Sequence, residues 1–120
     1  MPEDVTVLEG QEIIKVHSWG IIKPRDLWKT LQTVMRIHDE SGLRKVLVDA
    51  TGENTFPATG DVFDFGEELA KAHDKGMQFA IVTSPGTALD LQFLETVARN
   101  RGGFVQNFMS EEEALIWLKA

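Results

Sequence analysis

A chain of 120 residues and 13.4 kDa has the length of one domain built around one core. Its Cys count of 0 excludes disulfides, zinc–thiolate sites and cysteine nucleophiles. Lys and Arg total 12 against 19 Asp and Glu, a net charge of −7 that repels nucleic-acid phosphates and anionic membranes, while 42% hydrophobic residues indicate a globular chain.

No stretch approaches the ~18 apolar residues of a membrane span. Met1-Pro2-Glu3-Asp4 lacks the basic-then-apolar layout of a signal peptide, so a cytoplasmic protein with no membrane span is expected. No repeat, low-complexity tract or linker divides the chain, and residues 1–120 read as a single domain.

Val5 and Val7, then Ile13, Ile14 and Val16, are β-branched runs joined by Glu9-Gly10-Gln11, which predicts two strands and a hairpin turn. Pro24 stands at a first helical position. Leu27, Leu31, Val34 and Ile37 recur at helical spacing up to Ser41-Gly42, so a helix from about Pro24 to Glu40 follows. Val46-Leu47-Val48 reads as a buried strand ending at Asp49, and Thr51 to Gly60 as a polar loop. Val62, Phe65, Leu69 and His73 share a face of a second helix that Gly76 terminates. Met77 to Val82 is the next buried strand, Ser84-Pro85-Gly86 a turn, and Leu91, Leu94, Val97 and Ala98 a third helix ended by Gly102-Gly103. Phe104, Val105 and Phe108 suggest a last strand. Ser110 with Glu113 is a capping box opening a short final helix with Ala114, Leu115 and Leu118 inward. Strands alternating with helices through short loops predict an α/β fold with a mainly parallel sheet after the N-terminal β-hairpin.

In such a sheet the loops leaving the carboxyl ends of the strands gather at one edge, where ligands bind. They are Asp49 to Gly60, Thr83 to Thr87 and Asn107 to Ser110, each leading into a helix N-terminus that favours a phosphate or other anion. The plainer role for Thr59, Asp61, Thr87 and Ser110 is helix capping.

Catalytic constellations are not found. His17, His38 and His73 lack metal-ligand spacing, and there is no Gly-x-Ser-x-Gly elbow, phosphate-binding glycine loop or dinucleotide fingerprint, so neither an enzyme nor a metal or cofactor is expected. Glu67-Glu68 and Glu111-Glu112-Glu113 suit first helical turns and solvated faces. Arg101 before Gly102-Gly103 admits two readings, a phosphate-recognising guanidinium or a cation at a helix C-terminus, and the dipole favours the second. Trp117 lies off the apolar stripe of its helix, so it is either a half-buried packing group or part of a self-association surface.

Val46-Leu47-Val48-Asp49-Ala50-Thr51-Gly52, then Thr55-Phe56-Pro57-Ala58-Thr59-Gly60, resemble the STAS domain of the SpoIIAA-like (STAS/SEC14-like) family of small bacterial proteins. The hairpin, the alternation and the closing Ser110-Glu111-Glu112-Glu113-Ala114-Leu115-Ile116-Trp117-Leu118 extend the resemblance over nearly the whole chain. It implies a SpoIIAA-like fold and a regulatory role resembling that of anti-sigma-factor antagonists, whose loop after the central strand carries Asp-Ser-Ser/Thr-Gly with the hydroxyl before the Gly phosphorylated by a partner kinase. Thr59 before Gly60 matches that position, while Ala58 and Pro57 stand where the Asp and first Ser would be.

These readings converge on a non-enzymatic interaction module with a protein partner, switched near Thr59. An alternative is a small anion, nucleotide or lipid-like ligand at the strand ends, held by Asp49, Thr51, Thr59, Gly60, Thr83, Ser84 and Thr87 with Arg101 as a further candidate, and walled by Phe56 and Phe63. A second alternative is a homo-oligomer, such as a homodimer, paired through its Trp-bearing surfaces.

Overall fold

The structure is a computed structural model that describes residues 3–8, 10–21, 23–55, 59–84 and 88–120. The elements are β1 (Glu3–Leu8), β2 (Ile13–Ile21), α1 (Pro24–Ser41), β3 (Lys45–Thr55), α2 (Thr59–Lys71), a 3₁₀ turn (Ala72–Lys75), β4 (Gln78–Val82), α3 (Ala88–Asn100), β5 (Phe104–Phe108) and α4 (Glu111–Lys119). They form a five-stranded sheet in the order β1-β2-β3-β4-β5, with β1 antiparallel to β2 and every later pair parallel.

Because each parallel crossover leads to the adjacent strand in the same direction, right-handed connections put all the crossover helices on one face. The buried side chains follow this rule. Leu27 and Val34 of α1, Phe65 and Leu69 of α2, and Leu91, Leu94 and Ala98 of α3 pack on Ile14, Val16, Val46, Phe79, Ile81 and Val105. The alternate strand residues Ile13, Leu47, Ala80 and Val82 point to the second face, where Ala114 and Leu118 of α4 cover them. Each buried Leu, Ile, Val or Phe side chain among these contributes about 1.5–3 kcal/mol relative to exposure. Helices α2 and α3 approach closely at Gly66, where a β-carbon would stand 2.8 Å from Val97 Cγ1.

Local signals set the helix ends. The Asp26 carboxylate accepts the Lys23 N–H at 3.0 Å just ahead of Pro24, and Ser110 Oγ accepts the Glu113 N–H at 3.2 Å. The α-helical part of the second helix stops at Lys71, and the chain tightens into the 3₁₀ turn before Gly76.

One expectation is corrected. The strand expected to stop at Asp49 runs on to Thr55, so the first half of the expected polar loop is sheet. The reason is its neighbour: β2 continues to Ile21 and offers β3 a partner as far as Ile21↔Thr55, across irregularities between His17 and Trp19 and between Gly20 and Ile21. Gly52 sits within this stretch, where an added β-carbon would lie 3.1 Å from Trp19 Cβ. Among the described residues no helix is long and apolar enough to cross a membrane.

Candidate functional site

The register brings Asp49, Thr51, Thr83 and Ser84 to one edge of the sheet. Asp49 pairs with His17 of β2 on one side and Val82 of β4 on the other, and Thr83 and Ser84 follow Val82 directly. Asp49 lies two residues beyond Leu47, on the second face. The Thr51 N–H and hydroxyl both donate to Asp49 Oδ1, at 3.1 and 2.7 Å. Partial burial alone pushes this carboxyl up, but the Thr51 hydrogen bonds, with His17 and Lys15 nearby, reverse that and hold it below its ordinary value. The edge therefore keeps a carboxylate through the neutral range. Lys15 meanwhile reaches Glu111 of α4 at 3.0 Å, and the His17 and Trp19 rings stack obliquely with centroids 5.2 Å apart.

Thr83 is buried and fully engaged. Its N–H donates to the Phe108 carbonyl at 2.9 Å, and its hydroxyl lies 3.4 Å from that oxygen and 3.3 Å from Met109 Sδ. Beside it a hollow of about 350 Å³ opens between Gln92, Gln106, Asn107, Met109 and Glu113. Asn107 is anchored beneath α3: its backbone N–H donates to Glu95 Oε1 at 2.6 Å and its side-chain amide to the Leu91 carbonyl at 2.8 Å. Its Oδ1 is buried with no partner among the described residues.

Thr59 and Gly60 are the first two residues of α2, so the helix start follows closely on the end of β3. Phe56 and Thr87 lie outside the described residues. Arg101 lies against α2, over a residue one helical turn from Thr59. It follows the C-terminal end of α3, a helix about 20 Å long by its residue count, and forms an ion pair with Glu67 at 2.9 Å while lying 5.2 Å over the Phe63 ring. Trp117 is half-buried against Phe108, with centroids 5.7 Å apart. Among the described residues no group of three or more His, Asp or Glu could hold a metal ion.

A polar cluster on the opposite face of the sheet escapes the sequence reading: Glu3, Ser18 and Thr30, joined by hydrogen bonds. Its one sequence signal is phase, because Glu3 falls in step with Val5 and Val7 along β1.

No protein-family model matches the chain, and no curated protein matches it. Among solved structures it is similar to the anti-sigma factor antagonist SpoIIAA in its unphosphorylated form, with 11% identity, a TM-score of 0.65 and 98% of each chain covered. It is also similar to an uncharacterized protein of the DUF3478 family with a SpoIIAA-like fold from Shewanella loihica PV-4, with 16% identity, a TM-score of 0.63 and coverage of 97% of this chain and 93% of that one. At such identities the likeness is one of architecture. From hairpin to final helix, the chain has the SpoIIAA-like fold that its strand and helix order leads one to expect.

Proposed function

We propose that the chain is a single cytoplasmic, non-enzymatic regulatory domain that docks a protein partner through the strand-end edge and the start of α2. The observation carrying this reading is the similarity, over 98% of the chain, to a protein described as an anti-sigma factor antagonist in its unphosphorylated form. Thr59 is the residue whose charge decides docking. A phosphate there adds about −1.5 to −2 charge at the first residue of a 13-residue helix, where the dipole favours an anion. The same charge, on a chain whose net charge is already −7, repels an acidic partner and attracts a basic one.

The test uses the wild-type chain, Thr59→Ala and Thr59→Glu as bait, followed by titration of any captured protein. The expected result is a saturable partner bound alike by wild type and Thr59→Ala, with Kd shifted at least tenfold by Thr59→Glu. If neither wild type nor Thr59→Ala binds any protein saturably, the reading fails; equal binding by all three chains removes Thr59 from it.

The hollow beside Thr83 favours a second reading, a small polar ligand at the ends of β4 and β5. Its walls offer the amides of Gln92, Gln106 and Asn107 with Glu113, a set that suits a neutral or cationic ligand better than an anion. A metabolite screen read by amide shifts of Gln106, Asn107 and Met109 separates the two readings.

A further inference from the structure

Glu3 pairs with Ser18 in the β1–β2 register, on the face that carries Val5 and Val16. It is 8% exposed and Ser18 is 0% exposed. Ser18 Oγ donates to Glu3 Oε2 at 2.5 Å, and Thr30 Oγ1, from α1, donates to Glu3 Oε1 at 2.6 Å. Both carboxylate oxygens are thus held by neutral hydroxyls, and no ion pair reaches Glu3 among the described residues. The charge that acts on it is another carboxylate, the buried Asp26. Buried carboxylates are ordinarily matched by a cation, because desolvation penalises an isolated charge heavily. Among the described residues the matching cation is missing.

The same three polar residues line a partly open cavity of about 50 Å³ between the sheet and the crossover helices, with Leu27, Val34, Val46 and Leu94 in its wall. Well-packed interiors hold few voids larger than a water molecule, and one of this size has room for roughly four water-sized groups. Its apolar wall offers solvent almost nothing to bond to, so the space suits a hydrocarbon chain.

We propose that this cavity binds a small aliphatic amine, with the ammonium against the Glu3 carboxylate and a chain of about three or four carbons among Leu27, Val34 and Leu94. The ligand supplies what each half of the site lacks: a counter-charge for the acid and filling for the void. The hydroxyls of Ser18 and Thr30 fix the carboxylate so that its remaining lone pairs stay available to the ammonium. The half-buried Thr30 and Leu31 form the wall on the helix side and give the way in. Burial pushes the Glu3 carboxyl above its ordinary value, against the two hydrogen bonds, and the bound ammonium pulls it back.

Titration of the methyl-labelled full chain with n-butylamine, and with butan-1-ol as the uncharged control, tests this. The expected result is saturable shifts at the Leu27, Val34 and Leu94 methyls, with butan-1-ol binding at least tenfold more weakly. Glu3→Gln, whose side-chain oxygen still accepts a hydroxyl, is expected to weaken butylamine at least tenfold and leave butan-1-ol unchanged. Val34→Leu, checked for an intact amide spectrum, is expected to fill the void and weaken both. Absent saturation by butylamine, equal affinity for amine and alcohol, or indifference to either substitution overturns the proposal.

Discussion

Glu3 and Asp49 stand on opposite faces of one sheet, and each accepts two hydrogen bonds, yet their carboxyls move in opposite directions. Burial dominates at Glu3, where the hydroxyls only moderate it and Asp26 adds to it, so its carboxyl lies above the ordinary value. At Asp49 burial is weaker, and the Thr51 donors with His17 and Lys15 outweigh it, so the ionised form is favoured. The number of hydrogen bonds therefore does not set the sign. What sets it is whether water and cations also reach the group.

The largest test of this contrast removes the donors at the buried corner. In Ser18→Ala with Thr30→Val, the carboxyl keeps its burial and loses both hydroxyls. Each lost donor to a buried polar group costs about 1–3 kcal/mol, so urea denaturation at pH 7 is expected to show a loss of roughly 2–5 kcal/mol. Thr51→Ala at the open edge, where water replaces the hydroxyl, is expected to cost under about 0.5 kcal/mol. Similar losses at the two sites would show that burial is not what separates them.

Glu3→Gln gives the next largest effect, in the pH profile. A glutamate whose folded value lies above 4.5 contributes stability that is fully present below that pH and is lost as pH rises through the folded value. Relative to Glu3→Gln, the wild-type chain is therefore expected to lose stability as pH rises above 4.5. Denaturation midpoints at several pH values check this, and parallel profiles for the two chains would refute it.

How much of this was legible in the sequence follows from separation along the chain. The helices were legible because Leu27, Leu31 and Val34, or Leu91, Leu94 and Val97, repeat within a few residues, and Pro24 and Ser110 mark helix starts locally. The strand-end loops followed from element order alone. Asp49 with Thr51 was equally readable, two residues apart. The Glu3 cluster was not: its partners lie 15 and 27 residues away, on different elements, and only the fold joins them. The reach of β3 to Thr55 was hidden for a related reason. Thr51 and Gly52 are exposed, so the stretch carries no apolar alternation and its polar residues look like a loop until β2 is known to run beside it.

Asp49→Asn is the smallest and sharpest probe. The amide oxygen still accepts from Thr51, so the substitution removes charge and leaves the local geometry intact. Because the site is largely open to water, the attraction to Lys15 is screened, and the loss at pH 7 is expected to be no more than about 0.5 kcal/mol. The sign is opposite to that at Glu3: an aspartate held below 3.8 contributes stability present above that pH and lost as pH falls through the folded value. The difference between wild type and Asp49→Asn should therefore vanish in acid, where that between wild type and Glu3→Gln also shrinks but from the other side. Salt distinguishes the causes further. About 1 M salt shortens the screening length to about 3 Å and should weaken the Lys15 share of the Asp49 effect while leaving the Thr51 share, and the Glu3 effect, arising from burial, should persist. An Asp49 effect wholly insensitive to salt would mean that the Thr51 hydrogen bonds, and not Lys15, hold it ionised.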